Sequence, residues 1–220
     1  MCARRGRLGA RGRVPDVSGD RYLSDMAITV VPAAEAGWPA VEAVFQSEAG
    51  ARNCWCQFHI LTNADAARTT RESRRELLRT QVETLDPPRG LVAIEGEQPV
   101  GWAGVEPRTR VRHALAGRLV TKSSPYDAED PSVWAVYCLL VPPKQRRRGV
   151  ATTLLRAALE HAEAHGATAI EGYPIDTDQR GGVLPPGFST GSLSMFLAEG
   201  FAPLAALPSG RTLVHEQFDG

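Results

Sequence analysis

No apolar stretch in the 220 residues approaches the roughly 20 that a helix needs to cross a bilayer. Charge of one sign is also missing, because 25 basic residues face 25 acidic ones and the formal net charge is zero. A broad electrostatic hold on nucleic acid therefore has no source. Cysteine is scarce, with four residues in all, which argues against a disulfide scaffold and points to a reducing, cytoplasmic setting. Lysine is nearly absent: apart from Lys122 and Lys144, every strongly basic side chain is arginine. No G-x-x-x-x-G-K-[ST] run occurs, so a Walker A phosphate loop is excluded. What is present is a chain that is 43% hydrophobic, long enough for one soluble domain with a sizeable core. Neither a membrane nor a nucleic acid is expected as a partner.

Core-forming residues are also missing from the first 25 positions, which hold six arginines and several glycines. That segment reads as a disordered, arginine-rich extension. Arg4 and Arg5 open no twin-arginine signal, since no apolar segment follows them. Met26, directly before Ala27, Ile28, Thr29, Val30 and Val31, is a second possible start. A dispensable tail, an over-long start and a basic arm for an acidic partner all fit. The single domain is expected over residues 26–220.

The most informative stretch is 133–165. Val133, Trp134, Ala135, Val136, Tyr137, Cys138, Leu139, Leu140 and Val141 form a β-branched and aromatic run suited to a strand buried on both faces. Pro142 and Pro143 end it. Arg146, Arg147, Arg148, Gly149, Val150, Ala151 and Thr152 follow, and then Leu154, Leu155, Ala158, Leu159 and Ala162 recur at helical spacing. An arginine-rich turn that opens a helix is an anion site, because the first helical amides lack partners and the macrodipole is positive there. Gly149 would let a pyrophosphate approach the backbone, and arginines add charge-assisted hydrogen bonds.

Val141, Pro143, Arg146, Gly149 and Ala151 fit V-x-P-x-x-R-x-x-G-x-A, and the segment resembles the acetyl-CoA signature of the GNAT superfamily of N-acetyltransferases. The remaining elements agree with that family. Strand 27–31 is followed by helices at 38–49 and 65–85, a hairpin of 91–94 and 99–106, the strand and helix just described, a strand at 167–173, a helix near 192–201, and two closing strands. The resemblance implies a mixed α/β fold of the α+β kind: a mostly antiparallel central sheet with one splayed parallel pair, flanked by helices. It implies acetyl-CoA as co-substrate, no metal, and a monomer or homodimer.

The same resemblance suggests site residues. Leu139, Leu140 and Val141 match the splayed positions that hold the pantetheine and thioester through free backbone groups. Residues 146–152 match the phosphate turn, and Ser189, Ser192 and Phe196 match cofactor contacts. Asn53, Cys54, Trp55, Cys56, Gln57, Phe58 and His59 crowd thiols, aromatics and an imidazole together where the family lines its acceptor pocket. Cys54, Trp55 and Cys56 are taken as acceptor-side residues. Core packing and a zinc site with His59 are the alternatives, although no second ligand pair stands at suitable spacing. Gly101, Trp102, Ala103 and Gly104 resemble the family's small-residue strand near the acceptor, with Trp102 either stacking on the acceptor or packing in the core. Arg108 opens a long polar connection, 108–131, in which His113 reads as solvated.

Two departures matter. No carboxylate occurs from Val133 to Val141, where many relatives carry a glutamate base. Phe196 stands where a thiol-protonating tyrosine is frequent, and Ser189 where an asparagine is. Tyr137, Cys138 and Tyr173, near by the order of strands, and Ser192 and Ser194 on the last helix are the replacement candidates for catalysis. The implied reaction is acetyl transfer to a primary amine of a small molecule or peptide by direct attack on the thioester. A catalytically silent acyl-CoA-binding regulator and a thiol or metal sensor are the alternatives.

Overall fold

In the computed structural model, which describes residues 27–112, 117–177 and 189–218, the chain begins with strand β1, Ile28–Pro32. Four helices follow: α1 Ala33–Ala36, α2 Trp38–Gln46, α3 Ala49–Cys54 and α4 Asn63–Ala66. Helix α5 spans Arg71–Thr84. The hairpin β2, Leu91–Glu95, and β3, Gln98–Pro107, leads through a connection that contains α6, Arg118–Ser123, to β4, Val133–Leu140. Helix α7, Val150–Ala164, strand β5, Ala169–Gly172, helix α8, Leu193–Ala198, and strands β6, Ala202–Leu207, and β7, Arg211–Gln217, complete the described chain.

The seven strands form one sheet in the order β1-β2-β3-β4-β5-β7-β6. Only β4 and β5 run parallel, and every other neighbour is antiparallel. All eight residues of β4 are buried, as a central strand covered on both faces requires. On one face, Ala93, Ala103, Val105, Trp134, Val136 and Ile170 pack against Leu154, Leu155, Ala158 and Ala162 of α7. On the other, Val92, Trp102, Ala135 and Tyr137 pack against Val41, Val44 and Phe45 of α2 and Leu78 and Val82 of α5.

Several boundaries differ from the expectation. The helix expected at 65–85 is two helices, because Thr70 adopts an extended conformation and caps α5 in a reciprocal box with Ser73. The helix expected at 38–49 stops at Gln46, and Glu48 is extended before α3 begins. The connection after β3 is not simply polar, since Arg108 is 1% exposed and Val111 and Val120 are buried. Two glycines of β3 are packed closely. A Cβ on Gly101 would meet Leu154 and Val150 at 2.8 and 2.9 Å, and one on Gly104 would meet the Tyr137 ring at 2.7 Å. His113 lies outside the described residues, as do residues 1–26 and 178–188.

Candidate active site

Between β4 and α7 the chain passes through Val141, Pro142 and the short turn Pro143–Gln145 into the three arginines. The prolines end the ladder. Arg147 (φ 61°) and Gly149 (φ 81°) then take left-handed conformations that aim the chain into the helix. Gly149 is the N-cap of α7, and no side chain caps that end. A Cβ on Gly149 would meet nothing within 4 Å. The helix start is thus both uncapped and open, the condition for binding an anion there.

The three arginines diverge. Arg146 folds back: its Nε donates to the Val141 carbonyl at 3.1 Å and its guanidinium pairs with Glu48 at 3.0 Å. Arg147 lines the cavity that opens beside the turn. Arg148 leans the other way, donating to Gln145 and pairing with Glu95 at 2.6 Å, so it stands off the cavity wall.

That cavity measures about 1110 Å³ and runs from Gly149, Val150, Ala151 and Thr152 past the end of β4 to a wall of Cys54, Cys56, Gln57, Phe58 and His59. It lies just above the range for small-molecule sites, roughly 300–1,000 Å³, so it has room for two ligands together. Its course follows from one extra residue in β4. Gly104 pairs with Cys138 and Val105 with Val136, which leaves Tyr137 as a bulge. A bulge bends its strand, and β4 pairs with β5 only as far as Val136. The bulge also resets the alternation of side chains. Val136 faces α7 and Leu139 again faces α7, while Tyr137 and Cys138 in succession face the α2–α5 layer.

Not every exposed backbone group beyond the bulge is available. The Leu139 amide donates to the Ser189 carbonyl, so Ser189 occupies part of the splay. The Cys138 thiol donates to the Ser189 hydroxyl at 3.4 Å, and both residues line the cavity, as do Leu140 and Val141. Ser192 is instead the N-cap of α8, accepting from the Met195 amide. Phe196 is fully buried against Phe201 and fills the space over Gly172.

Of the catalytic candidates Tyr137, Cys138 and Tyr173, Cys138 reaches the cavity. Tyr137 is fully buried, and its hydroxyl donates to Glu106 Oε1 at 2.9 Å. Tyr173 donates to Glu171 at 3.4 Å beneath the sheet surface. Burial, reinforced by the neighbouring carboxylate, pushes both phenols well above their usual range. Among the acceptor-side candidates, Cys54 and Cys56 line the cavity. Trp55 and Trp102 do not: Trp55 stacks on Phe45 at 5.3 Å between ring centroids, and Trp102 meets Phe45 edge-on at 5.4 Å. Burial raises both thiols, most strongly Cys56, which also faces Cys138. Among the described residues, no group of three or more His, Cys, Asp or Glu side chains is arranged to hold a metal ion.

Register across the sheet supplies the carboxylates that β4 lacks. Ala135 pairs with Glu106 of β3 on one side and with Glu171 of β5 on the other. Both glutamates are fully buried. Glu106 takes two hydrogen bonds from Arg89, at 3.0 and 2.7 Å. Glu171 lies 3.0 Å from Arg108, an ion pair in which the N–H is not aimed well enough to bond Oε1. Neither glutamate lines the cavity, so they anchor strands rather than face a ligand.

Sequence reasoning also missed Arg74, Arg211 and Glu48, which do line the cavity. Arg74 stands among the many charges of α5, and the seating of α5 against the Cys54–His59 loop brings it to the cavity. Reciprocal hydrogen bonds between the Gln57 and Gln81 amides, at 2.7 and 3.3 Å, make that seating.

A profile of the acetyltransferase (GNAT) family matches residues 55–179, more than half of the chain and all of the strand, turn and helix just described. The chain belongs to the GNAT family. As a GNAT acetyltransferase it is an acyltransferase that uses acetyl-CoA, and the uncapped α7 start with open space at Gly149 fits the phosphates of that co-substrate.

Solved structures share this GNAT fold at low identity. An N-acetyltransferase from Staphylococcus aureus superposes with a TM-score of 0.53 at 13% identity, covering 87% of this chain and 98% of its own. PaiA N-acetyltransferase from Thermoplasma acidophilum, solved with coenzyme A, gives 0.52 at 14% identity, covering 88% of this chain and 100% of its own. An N-acetyltransferase from Kribbella flavida gives 0.52 at 19% identity, with 87% and 98% covered. The chain matches no curated protein in sequence. Among the described residues, no helix is long and apolar enough to cross a membrane.

Proposed function

We propose that the protein transfers the acetyl group of acetyl-CoA to a primary amine of a small molecule or peptide by direct attack on the thioester. The observation that carries this reading is the single cavity joining the open helix start at Gly149 to the Cys54–His59 wall by way of the β4 bulge. Acetyl-CoA supplies an activated acyl group. The chain supplies the rest: the α7 amides and Arg147 hold the phosphates, Leu140 and Val141 lie along the pantetheine path, and the far wall orients the amine.

The amine gives up its proton to water. Cys54 and Cys56 are held protonated by burial. Tyr137 and Tyr173 are turned to buried glutamates, and Glu48 is held by Arg146. His59, with its ring 5.5 Å from that of Tyr137, is the imidazole in the wall. Positioning alone lowers a barrier by several kcal/mol, so a dedicated base, worth about a hundred- to ten-thousandfold, is dispensable. The test is coenzyme A release from acetyl-CoA with a panel of primary amines, with the acetylated product identified by mass. The rate should rise with pH toward the amine's own pKa, and Tyr137→Phe, Cys138→Ala and Tyr173→Phe should each cost less than about tenfold. A plateau near neutral pH that disappears in His59→Asn would identify His59 as the base and overturn the water step.

A further inference from the structure

The acceptor end of the cavity carries an arginine, Arg74, whose charge no carboxylate among the described residues offsets. Among the described residues, the charged side chains that line the cavity are Arg74, Arg146, Arg147 and Arg211 and the carboxylate of Glu48. Glu48 is taken by Arg146. Arg146 and Arg147 belong to the turn where the phosphates of acetyl-CoA are expected, which leaves Arg74 from α5 and Arg211 from β7 on the remaining wall.

Arg74 is the informative one. It stands next to Arg75, which pairs with Glu42 at 2.7 Å, whereas no carboxylate among the described residues pairs with Arg74. Its Nε–H is withdrawn from water and has no hydrogen-bond partner. A buried guanidinium N–H left unbonded is costly, and a planar fork of donors is matched best by a carboxylate or a similar oxyanion. The Gln57–Gln81 amide pair fixes α5 against the Cys54–His59 loop, so the turn of α5 that carries Arg74 is held at the cavity wall.

We propose that the acceptor is an amine that also bears a carboxylate, an amino acid or a close analogue, and that Arg74 binds the carboxylate while the amino group is presented to the thioester. This rests on the transferase reading above and specifies its substrate class. A polyamine would bring further positive charge toward Arg74, and the carboxylate that lines the cavity among the described residues, Glu48, is already paired with Arg146.

The test uses matched acceptors, L-phenylalanine with L-phenylalanine amide and L-methionine with L-methionine amide, together with spermidine. Steady-state rates are measured with acetyl-CoA, and binding is measured by calorimetry on the full chain saturated with coenzyme A. Each acid should be preferred over its amide by at least tenfold in kcat/KM or in affinity. Arg74→Met should remove at least tenfold for the acids and leave the amides within twofold, and Arg74→Lys should restore part of the loss. Comparing acid-to-amide ratios between wild type and variant cancels differences in amine basicity. Equal use of acid and amide, a preference for spermidine, an equal loss for both members of each pair, or no binding of the acids would overturn the proposal. A loss confined to KM for acetyl-CoA would assign Arg74 to the cofactor phosphates and would also overturn it. The underlying transferase reading fails separately, if acetyl-CoA itself produces no thermal shift.

Discussion

Replacing Glu106 by glutamine keeps the shape of the side chain and removes its charge at the centre of a buried cluster. Arg89 and Glu106 have side-chain exposures of 3% and 0%. Both hydrogen bonds from Arg89, at 3.0 and 2.7 Å, end on Glu106 Oε2, and Tyr137 donates to Oε1 at 2.9 Å. Arg89 Nη1 already lacks a partner, so loss of the carboxylate charge leaves a buried guanidinium with little else to offset it. Breaking one member of such a pair costs about 3–5 kcal/mol. For a domain of this size each kcal/mol moves the melting midpoint by roughly 2–4 °C, so Glu106→Gln should lower it by about 6–20 °C. Urea unfolding followed by circular dichroism gives the free energy directly. Tyr137→Phe removes one hydrogen bond to a charged group, about 1.5–3 kcal/mol, and the double variant should lose less than the sum because both changes act on one network. A Glu106→Gln protein within about 1 kcal/mol of wild type would refute the argument, since the pair would then be either hydrated or already unproductive.

Acetyl-CoA at a hundredfold excess over its dissociation constant should stabilise the protein by about 2.7 kcal/mol and raise the midpoint by roughly 5–10 °C. Gly149→Asp should abolish that shift, because it puts a negative side chain on a φ of 81° at the phosphate site; an undiminished shift would move the cofactor elsewhere. His161, packed on Trp134 and 4.3 Å from the His165 ring, is held at about 4 by burial and then by His165. Between about pH 6.5 and 4 the unfolded chain takes up a proton that the fold refuses, so stability falls as the pH falls through that window. His161→Gln should flatten the slope by about 1–2 kcal/mol, discounted for partial exposure, and an unchanged slope in denaturant titrations at both pH values would rule His161 out as its source. Deleting residues 1–25 should leave both the melting transition and the acetyl-CoA shift intact; loss of either would make that segment structural.

The strand, turn and helix of residues 133–164 were legible in the sequence because each is a local pattern. A long apolar run, two prolines, a glycine at an αL position and a 3.6-residue period need no distant partner to be recognised. The hairpin around Gly96 is local in the same sense. The bulge at Tyr137 was not legible, since an uninterrupted apolar strand has no alternation whose break could reveal an extra residue. The two glutamates beside Ala135 lie 29 residues before it and 36 after it (135 − 106 and 171 − 135), and only the register of three strands makes them neighbours. The same limit explains Trp55 and Trp102, whose aromatic faces suit a pocket or a core equally until the packing of Phe45 between them decides for the core. Arg74 reads as one more solvated charge on a helix rich in them. Its role depends on which turn of α5 meets the cavity, and a pair of glutamine amides 24 residues apart in sequence determines that. Local chemistry was therefore enough to mark the turn proposed for the cofactor, whereas the wall proposed for the acceptor exists only in the folded chain, because its residues come from separate elements and no one of them carries a pattern of its own.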